Sequence, residues 1–213
     1  MVRKTGMFVV LIALSLTGVA SAQVAMLTQV AGDVKVSGKE GARPAVSFLK
    51  VNEGDTLTLA ANGRVQMVYL ASGRQEIWKG AGPVQIGPQE GKSASLKAET
   101  SQVPGLILKQ LAKTPAVGQH GKTGMVMLRS LDDLDAQDHL EDDYATFRAS
   151  AAPDDTTPEV FLLTGLLERE DFDKAKKVLE DLKTKHGTEP AYQAVVEHFS
   201  RLVAEASAEK AKK

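Results

Sequence analysis

The sequence contains no cysteine among its 213 residues. A disulfide framework and a thiolate metal site are therefore excluded, and so is a bacterial lipoprotein anchor, which needs a lipidated cysteine. Long apolar runs are also scarce, because beyond the N-terminus no segment approaches the roughly 20 apolar residues of a membrane-spanning helix. We therefore expect the mature chain to have no transmembrane span.

The N-terminus has the three parts of a secretory signal peptide. A basic start at Arg3 and Lys4 precedes an apolar run, and small residues precede Gln23. We predict that residues 1–22 are removed by cleavage after Ala22 and that the protein is exported to the periplasm. The alternative is that this segment is retained as a membrane anchor.

Charge is distributed unevenly along the chain. Residues 23–129 carry 13 Lys and Arg against 7 Asp and Glu, a net charge of +6, whereas residues 130–213 carry 11 against 20, a net charge of −9. Three interpretations follow. The basic part faces an anionic partner such as cell-wall polymer or lipid headgroups, or the two parts attract each other, or both surfaces are simply solvated.

Residues 24–97 show the period-two alternation and the frequent turn signals that favour strands over helices. Val65, Met67 and Tyr69, for example, fall on one face of a predicted strand. Turn glycines recur every nine or ten residues, at Gly54, Gly63, Gly73 and Gly82. The pattern predicts hairpins that close into a small all-β sandwich or roll.

The stretches VAGDVKV, VNEGDTLTLAANGRVQMVYLASGRQEI and GPVQI resemble the FecR-type periplasmic β domain, over Val24 to Ile86. The resemblance implies an envelope domain that relays or scaffolds through protein contacts, with no catalytic residues to carry over. Iron-uptake regulators of that family begin with a cytoplasmic segment and a membrane helix, whereas a predicted signal peptide comes first here. Sigma-factor regulation is therefore not carried over.

Four amphipathic helical patterns follow a connector rich in proline and glycine, and we place the domain boundary near Ser130. Thr157 and Asp171 are predicted N-caps, with Pro158 at a first helical position. The lysine-rich C-terminal tail is predicted to be disordered.

Pro158 and Pro190 begin successive helices 32 residues apart, close to the repeat length of tetratricopeptide helix pairs. The segment EREDFDKAKKVLEDL resembles the second helix of such a repeat, without the usual tryptophan and paired small residues. A plain antiparallel bundle fits the same apolar stripes. The predicted fold class is α+β with two domains, an all-β FecR-like domain with connector over 23–129 and all-α TPR-like antiparallel hairpins over 130–213.

Two short motifs suggest enzyme chemistry. AVGQHGKTG, residues 116–124, fits a permissive phosphate-loop template, but a proline interrupts any leading strand and the chain lacks an alternating α/β pattern. Ser47 and Lys50 in SFLK imitate a motif of penicillin-recognising enzymes, which require the serine at the start of a helix, whereas this stretch is strand-like. We therefore predict no catalytic residues and no cofactor, and we rank an extracytoplasmic serine hydrolase last.

The sequence gives no metal-binding pattern. The acidic run DDLDAQDHLEDD departs from a calcium loop, because Asp138 stands where that loop requires glycine. The four histidines lack a recognised ligand spacing. His186 is predicted at a helix C-terminus and His198 on a helix surface.

Trp78, the one tryptophan of the chain, shares a predicted strand face with Arg74 and Glu76. This polar setting makes Arg74 and Trp78 candidate partner-binding residues, and burial of Trp78 is the alternative. We predict a non-enzymatic envelope protein that binds or scaffolds another envelope protein, with no nucleic-acid partner. The alternative function is attachment to peptidoglycan or another anionic polymer through the basic β half.

Overall fold

The computed structural model describes residues 23–39, 41–117 and 139–212. The predicted signal peptide, the phosphate-loop-like motif beyond Val117 and the predicted domain boundary near Ser130 lie outside the described residues. No helix in the described part of the chain is long and apolar enough to cross a membrane.

The N-terminal part forms two antiparallel sheets. Its strands are β1 (Gln23–Ala31), β2 (Val34–Gly38), β3 (Gly41–Pro44), β4 (Lys50–Asn52), β5 (Thr56–Leu59), β6 (Arg64–Tyr69), β7 (Arg74–Lys79), β8 (Gly82–Ile86), β9 (Gly91–Lys92) and β10 (Glu99–Gln102). The first sheet has the strand order β10-β7-β6-β1-β4, and the second has the order β3-β2-β5-β8-β9.

The two sheets share an apolar core and so form a sandwich. Val65, Met67 and Tyr69 of β6 lie in this core, as their alternation predicts. Two predicted turn glycines, Gly54 and Gly73, have φ angles of +86° and +73°, a left-handed conformation that glycine adopts without strain. The predicted β character of the N-terminal part is confirmed.

Five helices occupy the C-terminal part of the described chain: α1 (Gly105–Lys113), α2 (Leu140–Ser150), α3 (Thr157–Glu168), α4 (Phe172–His186) and α5 (Pro190–Lys210). Every residue of α3 from Thr157 to Leu167 is buried, because α1, α2, α4 and α5 all contact this helix. A helix that is apolar all round is typical of such a central position. The mixed α+β class, with β structure first and helical hairpins after it, is confirmed.

The helix starts agree in part with the predicted caps. Asp171 is the N-cap of α4, where its side chain accepts a hydrogen bond from Lys174 N at 3.2 Å. The prediction that Thr157 caps α3 is wrong by one residue, since the N-cap position is Thr156. The side chain that binds the first turn is instead that of Asp155, whose Oδ1 accepts from Thr157 N at 2.9 Å.

The helices pack against the outer face of the first sheet. Met26 and Val68 of that sheet, together with Phe48, belong to the same apolar cluster as the helices. The first sheet is therefore covered on both sides, by the second sheet and by the helical layer. α1, which the sequence analysis assigns to the connector of the β domain, packs on α3.

Ion pairs between described residues of the basic half and the acidic half include the following two. Arg64 Nη2 lies 3.0 Å from Asp154 Oδ2, and Lys113 Nζ lies 3.1 Å from Glu168 Oε1. Of the three interpretations of the charge asymmetry, attraction between the two parts has these pairs in its favour.

Candidate functional site

The candidate partner-binding residues Arg74 and Trp78 lie on β7 and meet at a buried carboxylate. Glu76 Oε1 accepts from Arg74 Nε at 2.7 Å, and its Oε2 accepts from Trp78 Nε1 at 3.0 Å. Trp78 is only 3% exposed, so its ring offers no face on which a partner could stack, and burial describes it better. The Arg74 side chain remains 37% exposed.

This cluster joins the two sheets of the sandwich. Glu76 belongs to the first sheet and accepts from the backbone of Gly91, in the second sheet, at 3.0 Å. The buried hydroxyl of Tyr69 has no hydrogen-bond partner within the described part of the chain. Burial, and then the charge of Glu76, raise the pKa of Tyr69 above its ordinary value. The contacts of Glu76 with Arg74, Trp78 and Gly91 therefore hold the two sheets together.

The enzyme-like residues Ser47 and Lys50 have partners that lie apart from any catalytic arrangement. Ser47 lies in a turn between β3 and β4, where its Oγ accepts from Val30 N at 3.1 Å. Lys50 Nζ donates to the Ala112 carbonyl at 3.0 Å. The prediction that Ser47 lies in a strand-like stretch is wrong. Penicillin-recognising enzymes require the serine at the start of a helix, and the turn that holds Ser47 does not provide one.

The prediction that His198 lies on a helix surface is wrong, because the residue is 4% exposed. Its ring stacks on Phe48 at a centroid distance of 4.5 Å. Its Nε2 donates to the Pro115 carbonyl at 3.0 Å, and its Nδ1 accepts from Arg201 Nη2 at 3.3 Å. Burial lowers the pKa of His198 to about 4, so the ring is neutral near pH 7.

His198 and Ser47 both line a cleft of about 550 Å³ between α5 and the loops of the sandwich. The hydrogen bonds that the described residues form there join neither residue to the other. The cleft therefore brings a hydroxyl and an imidazole into one cavity without pairing them as nucleophile and base.

A second cleft, which we call the interlayer cleft, lies between the first sheet and the helical layer. It has a volume of about 460 Å³ and is lined by residues of β6, β7, β10, α1, α2, α3 and the link between α2 and α3. Its apolar wall consists of Ile77, Val103, Pro104, Ile107, Phe147 and Pro158. The mixture of an apolar wall with a few polar groups is typical of a ligand-binding cavity.

The polar end of the interlayer cleft is organised around Asp155. Its Oδ1 accepts from Gln66 Nε2 at 2.8 Å, and its Oδ2 accepts from Gln75 Nε2 at 3.3 Å. The two glutamines lie on adjacent strands, β6 and β7, and both belong to the sheet face that carries Val68, which packs against the helices. A carboxylate from the helical layer is thus held by uncharged donors from the sheet.

The charged side chains that line the cleft are hydrogen-bond acceptors. Among the described residues that line it, Asp154 and Asp155 are the charged ones, and no Lys or Arg lines it. Asp154 pairs with Arg64 at 3.0 Å and keeps 61% of its side chain exposed. Gln66 is fully buried, and its Oε1 has no hydrogen-bond partner among the described residues, because its Nε2 is directed to Asp155. A buried acceptor without a donor is unfavourable.

An internal ion pair fixes the link that carries Asp155. Arg148 Nη1 lies 3.1 Å from Oε2 of Glu159, which is 2% exposed. The same Nη1 donates to the Asp155 carbonyl at 2.7 Å, and Arg148 Nη2 donates to the Ala152 carbonyl. Tyr192 adds a hydrogen bond from its hydroxyl to the Pro153 carbonyl at 2.9 Å.

The titration of this ion pair reflects its burial. Burial raises the pKa of Glu159 above the ordinary range, although Arg148 acts in the opposite direction. Burial, and then Glu159, raise the pKa of Tyr144 to about 12, so its hydroxyl is neutral and donates to Glu159 Oε1 at 3.3 Å. The polar end of the cleft is therefore attached to a link that contacts a buried ion pair.

β10 forms one edge of the first sheet and one border of the interlayer cleft. All four of its residues are exposed. Val103 N donates to the Gly73 carbonyl at 2.8 Å. Because hydrogen-bonded pairs alternate along an antiparallel ladder, Ser101 and Glu99 direct their main-chain groups toward β7, whereas Thr100 and Gln102 direct theirs away from it.

Sequence reasoning missed the interlayer cleft. Asp155 stands in a loop-like stretch before a helix, and its partners Gln66 and Gln75 lie 89 and 80 residues earlier in the chain. No local spacing connects these residues, so only the tertiary packing of helices on the sheet brings them together.

Comparison of this chain with protein-family models, with curated proteins and with solved structures finds no match. Within the described residues, no group of three or more His, Cys, Asp or Glu side chains is placed to hold a metal ion. The fold defines the class as a β-sandwich with a helical layer on its outer face, and the site is a cleft at the edge of the first sheet.

Proposed function

We propose that this chain is a non-enzymatic, exported protein of the cell envelope that binds another envelope protein as an adaptor or scaffold in the periplasm. The observation that carries the proposal is the exposed edge of β10 beside the interlayer cleft. An exposed strand edge is a template for the main chain of an extended segment, and an adjacent cavity can receive its side chains.

The geometry of the edge supports strand addition. Thr100 and Gln102 direct their N–H and C=O groups away from β7, and among the described residues no strand pairs with this side of β10. Unpaired edges promote nonspecific association unless a protein covers them or uses them for binding. A partner strand would satisfy these groups and would extend the sheet by one strand.

The family resemblances agree with this role. The two-sheet sandwich is compatible with a FecR-like periplasmic domain, for which protein contacts are the implied activity. The contacts of α3 with α4, and of α4 with α5, are compatible with TPR-like hairpins, another architecture that binds proteins. We propose both assignments, with the interlayer cleft at the junction of the two architectures.

Site-specific photo-cross-linking in cells tests the proposal. A photoreactive amino acid at position 100 in β10 should give an adduct with one envelope protein. The same amino acid at position 58, which is exposed on the outer face of the second sheet, should give no such adduct. Absence of a protein adduct from position 100 would contradict the proposal, as would a cross-link from position 100 to residues 118–138 of the same chain.

A matched pair of variants tests whether the partner binds the edge of β10. Thr100→Pro removes the outward N–H, and proline is tolerated where an edge N–H faces solvent. Thr100→Val keeps that N–H and suits a strand. We expect the first variant to abolish recovery of the partner and the second to retain it. Equal recovery by both would mean that the partner binds elsewhere.

Attachment to an anionic polymer is the second candidate, and it has one observation in its favour. Lys35 and Lys92 are exposed on the outer face of the second sheet, beside the uncharged side chains of Thr58 and Gln85. Sedimentation of the protein with purified sacculi, weakened by salt and by Lys35→Gln with Lys92→Gln, would support this function. No sedimentation at low salt would dismiss it.

A further inference from the structure

The cleft between α5 and the loops of the sandwich, which we call the α5 cleft, combines an apolar wall with two charged side chains. Its volume of about 550 Å³ lies within the roughly 300–1,000 Å³ of small-molecule sites. Among the described residues that line it, Glu197 and Arg201 are the charged ones. The apolar wall consists of Val30, Ala45, Val46, Phe48, Val117 and Ala194.

The Arg201 guanidinium is held by a neutral acceptor. A guanidinium only donates hydrogen bonds, so its 3.3 Å contact from Nη2 to His198 Nδ1 makes that ring nitrogen the acceptor. His198 Nε2 then carries the hydrogen, which it donates to the Pro115 carbonyl at 3.0 Å. Since this buried ring is neutral near pH 7, it orients the guanidinium and leaves the positive charge uncompensated.

Glu197 supplies a negative charge beside Arg201. It precedes Arg201 by four residues on α5, and both side chains are exposed and line the cleft. This spacing and order favour an ion pair on a helix surface. No ion pair joins the two residues, however, and neither forms one with another described residue. The rim therefore presents a carboxylate and a guanidinium side by side, each available to a ligand.

This arrangement selects the charge of a ligand. A simple anion is attracted by Arg201 but repelled by Glu197, and for a simple cation the two effects are reversed. An α-amino acid carries an ammonium group and a carboxylate on one carbon atom, so it meets both residues with the opposite charge. A guanidinium also binds a carboxylate with two parallel hydrogen bonds. The side chain of the amino acid is then left for the apolar wall.

The apolar wall contains a strained residue. Phe48 has a φ angle of +66°, a conformation that is unfavourable for a bulky side chain. Its N–H donates to the Leu27 carbonyl at 2.7 Å, and its carbonyl accepts from Val117 N at 3.1 Å. Its ring stacks on His198, so the strained residue supports the imidazole that orients Arg201. Strain of this kind is concentrated at ligand-binding sites.

We infer that the α5 cleft binds a free α-amino acid with an apolar side chain. Arg201 binds its carboxylate and Glu197 binds its ammonium group, while the side chain lies against Val46 and Phe48. Val46 is 41% exposed, and the ligand would cover it. This inference does not use the edge of β10, so it goes beyond the proposed function and adds a small-molecule ligand.

Isothermal titration of the intact protein with four compounds tests the inference. Leucine carries both charges, N-acetylleucine lacks the cation, leucinamide lacks the anion, and glycine lacks the side chain. We expect leucine to bind at least about 10-fold more tightly than N-acetylleucine or leucinamide, because each of these loses one charged contact. Leucine should exceed glycine by about 10- to 100-fold, which corresponds to burial of its side chain.

Two variants assign the binding to the cleft. Arg201→Gln keeps an N–H donor for His198 but removes the charge, so it should abolish the advantage of leucine over leucinamide. Glu197→Gln should abolish the advantage of leucine over N-acetylleucine. The control is Glu205→Gln, which makes the same change at an exposed position of α5 outside the cleft and should leave the affinity for leucine intact. Circular dichroism establishes that each variant is folded.

The outcomes are independent of the edge of β10. Absence of leucine binding, or equal binding of leucine and N-acetylleucine, would overturn the inference and leave the proposed function standing. An affinity for leucine that survives Arg201→Gln in a folded protein would also overturn it, because the ligand then binds elsewhere. So would a cross-link from a photoreactive amino acid at position 46 to residues 118–138 of the same chain.

Discussion

Replacement of Arg148 by methionine tests the ion pair that fixes the polar end of the interlayer cleft. Arg148 Nη1 lies 3.2 and 3.1 Å from the two carboxylate oxygens of Glu159. After Arg148→Met, the Tyr144 hydroxyl at 3.3 Å is the one side-chain partner left to that buried carboxylate among the described residues. Removal of one partner from a buried ion pair destabilises proteins by ~3–5 kcal/mol, and we expect a loss of this size in the free energy of unfolding.

The double variant distinguishes an unpaired charge from lost packing. Glu159→Gln alone removes the charge and weakens the hydrogen bonds, with an expected loss of ~1–3 kcal/mol. Arg148→Met with Glu159→Gln leaves no unpaired carboxylate, so it should be close in stability to Glu159→Gln and clearly more stable than Arg148→Met. The control is Arg64→Met, which breaks a pair whose Asp154 is 61% exposed and should lose at most ~1 kcal/mol.

The loss caused by Arg148→Met should also depend on pH. Burial already raises the pKa of Glu159, and removal of the cation raises it further. A carboxyl group whose pKa is higher in the folded state stabilises the fold at low pH and ceases to do so as pH rises through that pKa. The difference between variant and parent should therefore shrink as the solution is acidified.

Denaturation by guanidinium chloride, followed by circular dichroism, measures these free energies. If Arg148→Met destabilised the protein no more than Arg64→Met, the buried ion pair would have no special weight. If the effects of Arg148→Met and Glu159→Gln simply added in the double variant, the coupling between the two charges would be absent.

Three further predictions concern the sandwich and its union with the helices. Gly91→Ala should lower the free energy of unfolding by ~1–3 kcal/mol in denaturation experiments, because the new Cβ would lie 2.8 Å from Glu76 Oε2 and 3.0 Å from Trp78 Cζ2. Gly105→Ala is the control and should be tolerated, since no described atom lies within 4 Å of its new Cβ. Similar losses for the two variants would contradict this packing. Fluorescence of Trp78 and helical circular dichroism should report one unfolding midpoint, since sheet and helices share a core; two midpoints would show separate units. The lowered pKa of His198, about 4 against an ordinary 6.5, stabilises the protein above pH 6.5, and this stabilisation of up to ~3 kcal/mol is lost as pH falls through 4. His198→Asn should flatten this part of a curve of unfolding free energy against pH. An unaltered curve would be inconsistent with a buried neutral ring.

The elements with a regular apolar period were predictable from the sequence. The alternation of Val65, Met67 and Tyr69 identifies the sandwich face of β6, and the stripes of α4 and α5 identify their buried faces. Asp171 is a reliable N-cap because its side chain satisfies an amide of the first turn locally. In each case the physical cause lies within a few residues of the chain.

The packing of the helices on the first sheet depends on contacts between residues far apart in the sequence, which the local residue pattern does not predict. Met26 and Val68 lie on the opposite strand faces from Leu27 and Met67, and all four are buried. Such continuous apolar runs are typical of strands covered on both sides, and this signal indicates that a second layer exists. It does not indicate which helix supplies the cover.

The buried position of His198 has the same origin. The apolar stripe of α5 includes the adjacent Phe199, and the polar side chain of His198 next to it predicts a position on the helix surface. Phe48 reaches across from the sandwich and stacks on the imidazole, and this contact joins residues 150 positions apart. The cleft around Asp155 was unpredictable for the same reason, since its partners Gln66 and Gln75 come from the other half of the chain.

The exchange rates of the β10 amides show whether a partner pairs with this edge, when they are recorded with and without the envelope protein that cross-links to position 100. We expect the Thr100 and Gln102 amides to exchange rapidly in the free protein and to become protected when that partner is added, while the Glu99 and Ser101 amides are protected throughout. If the partner binds and the exchange of Thr100 and Gln102 is unchanged, the partner does not pair with this edge and the proposed function fails.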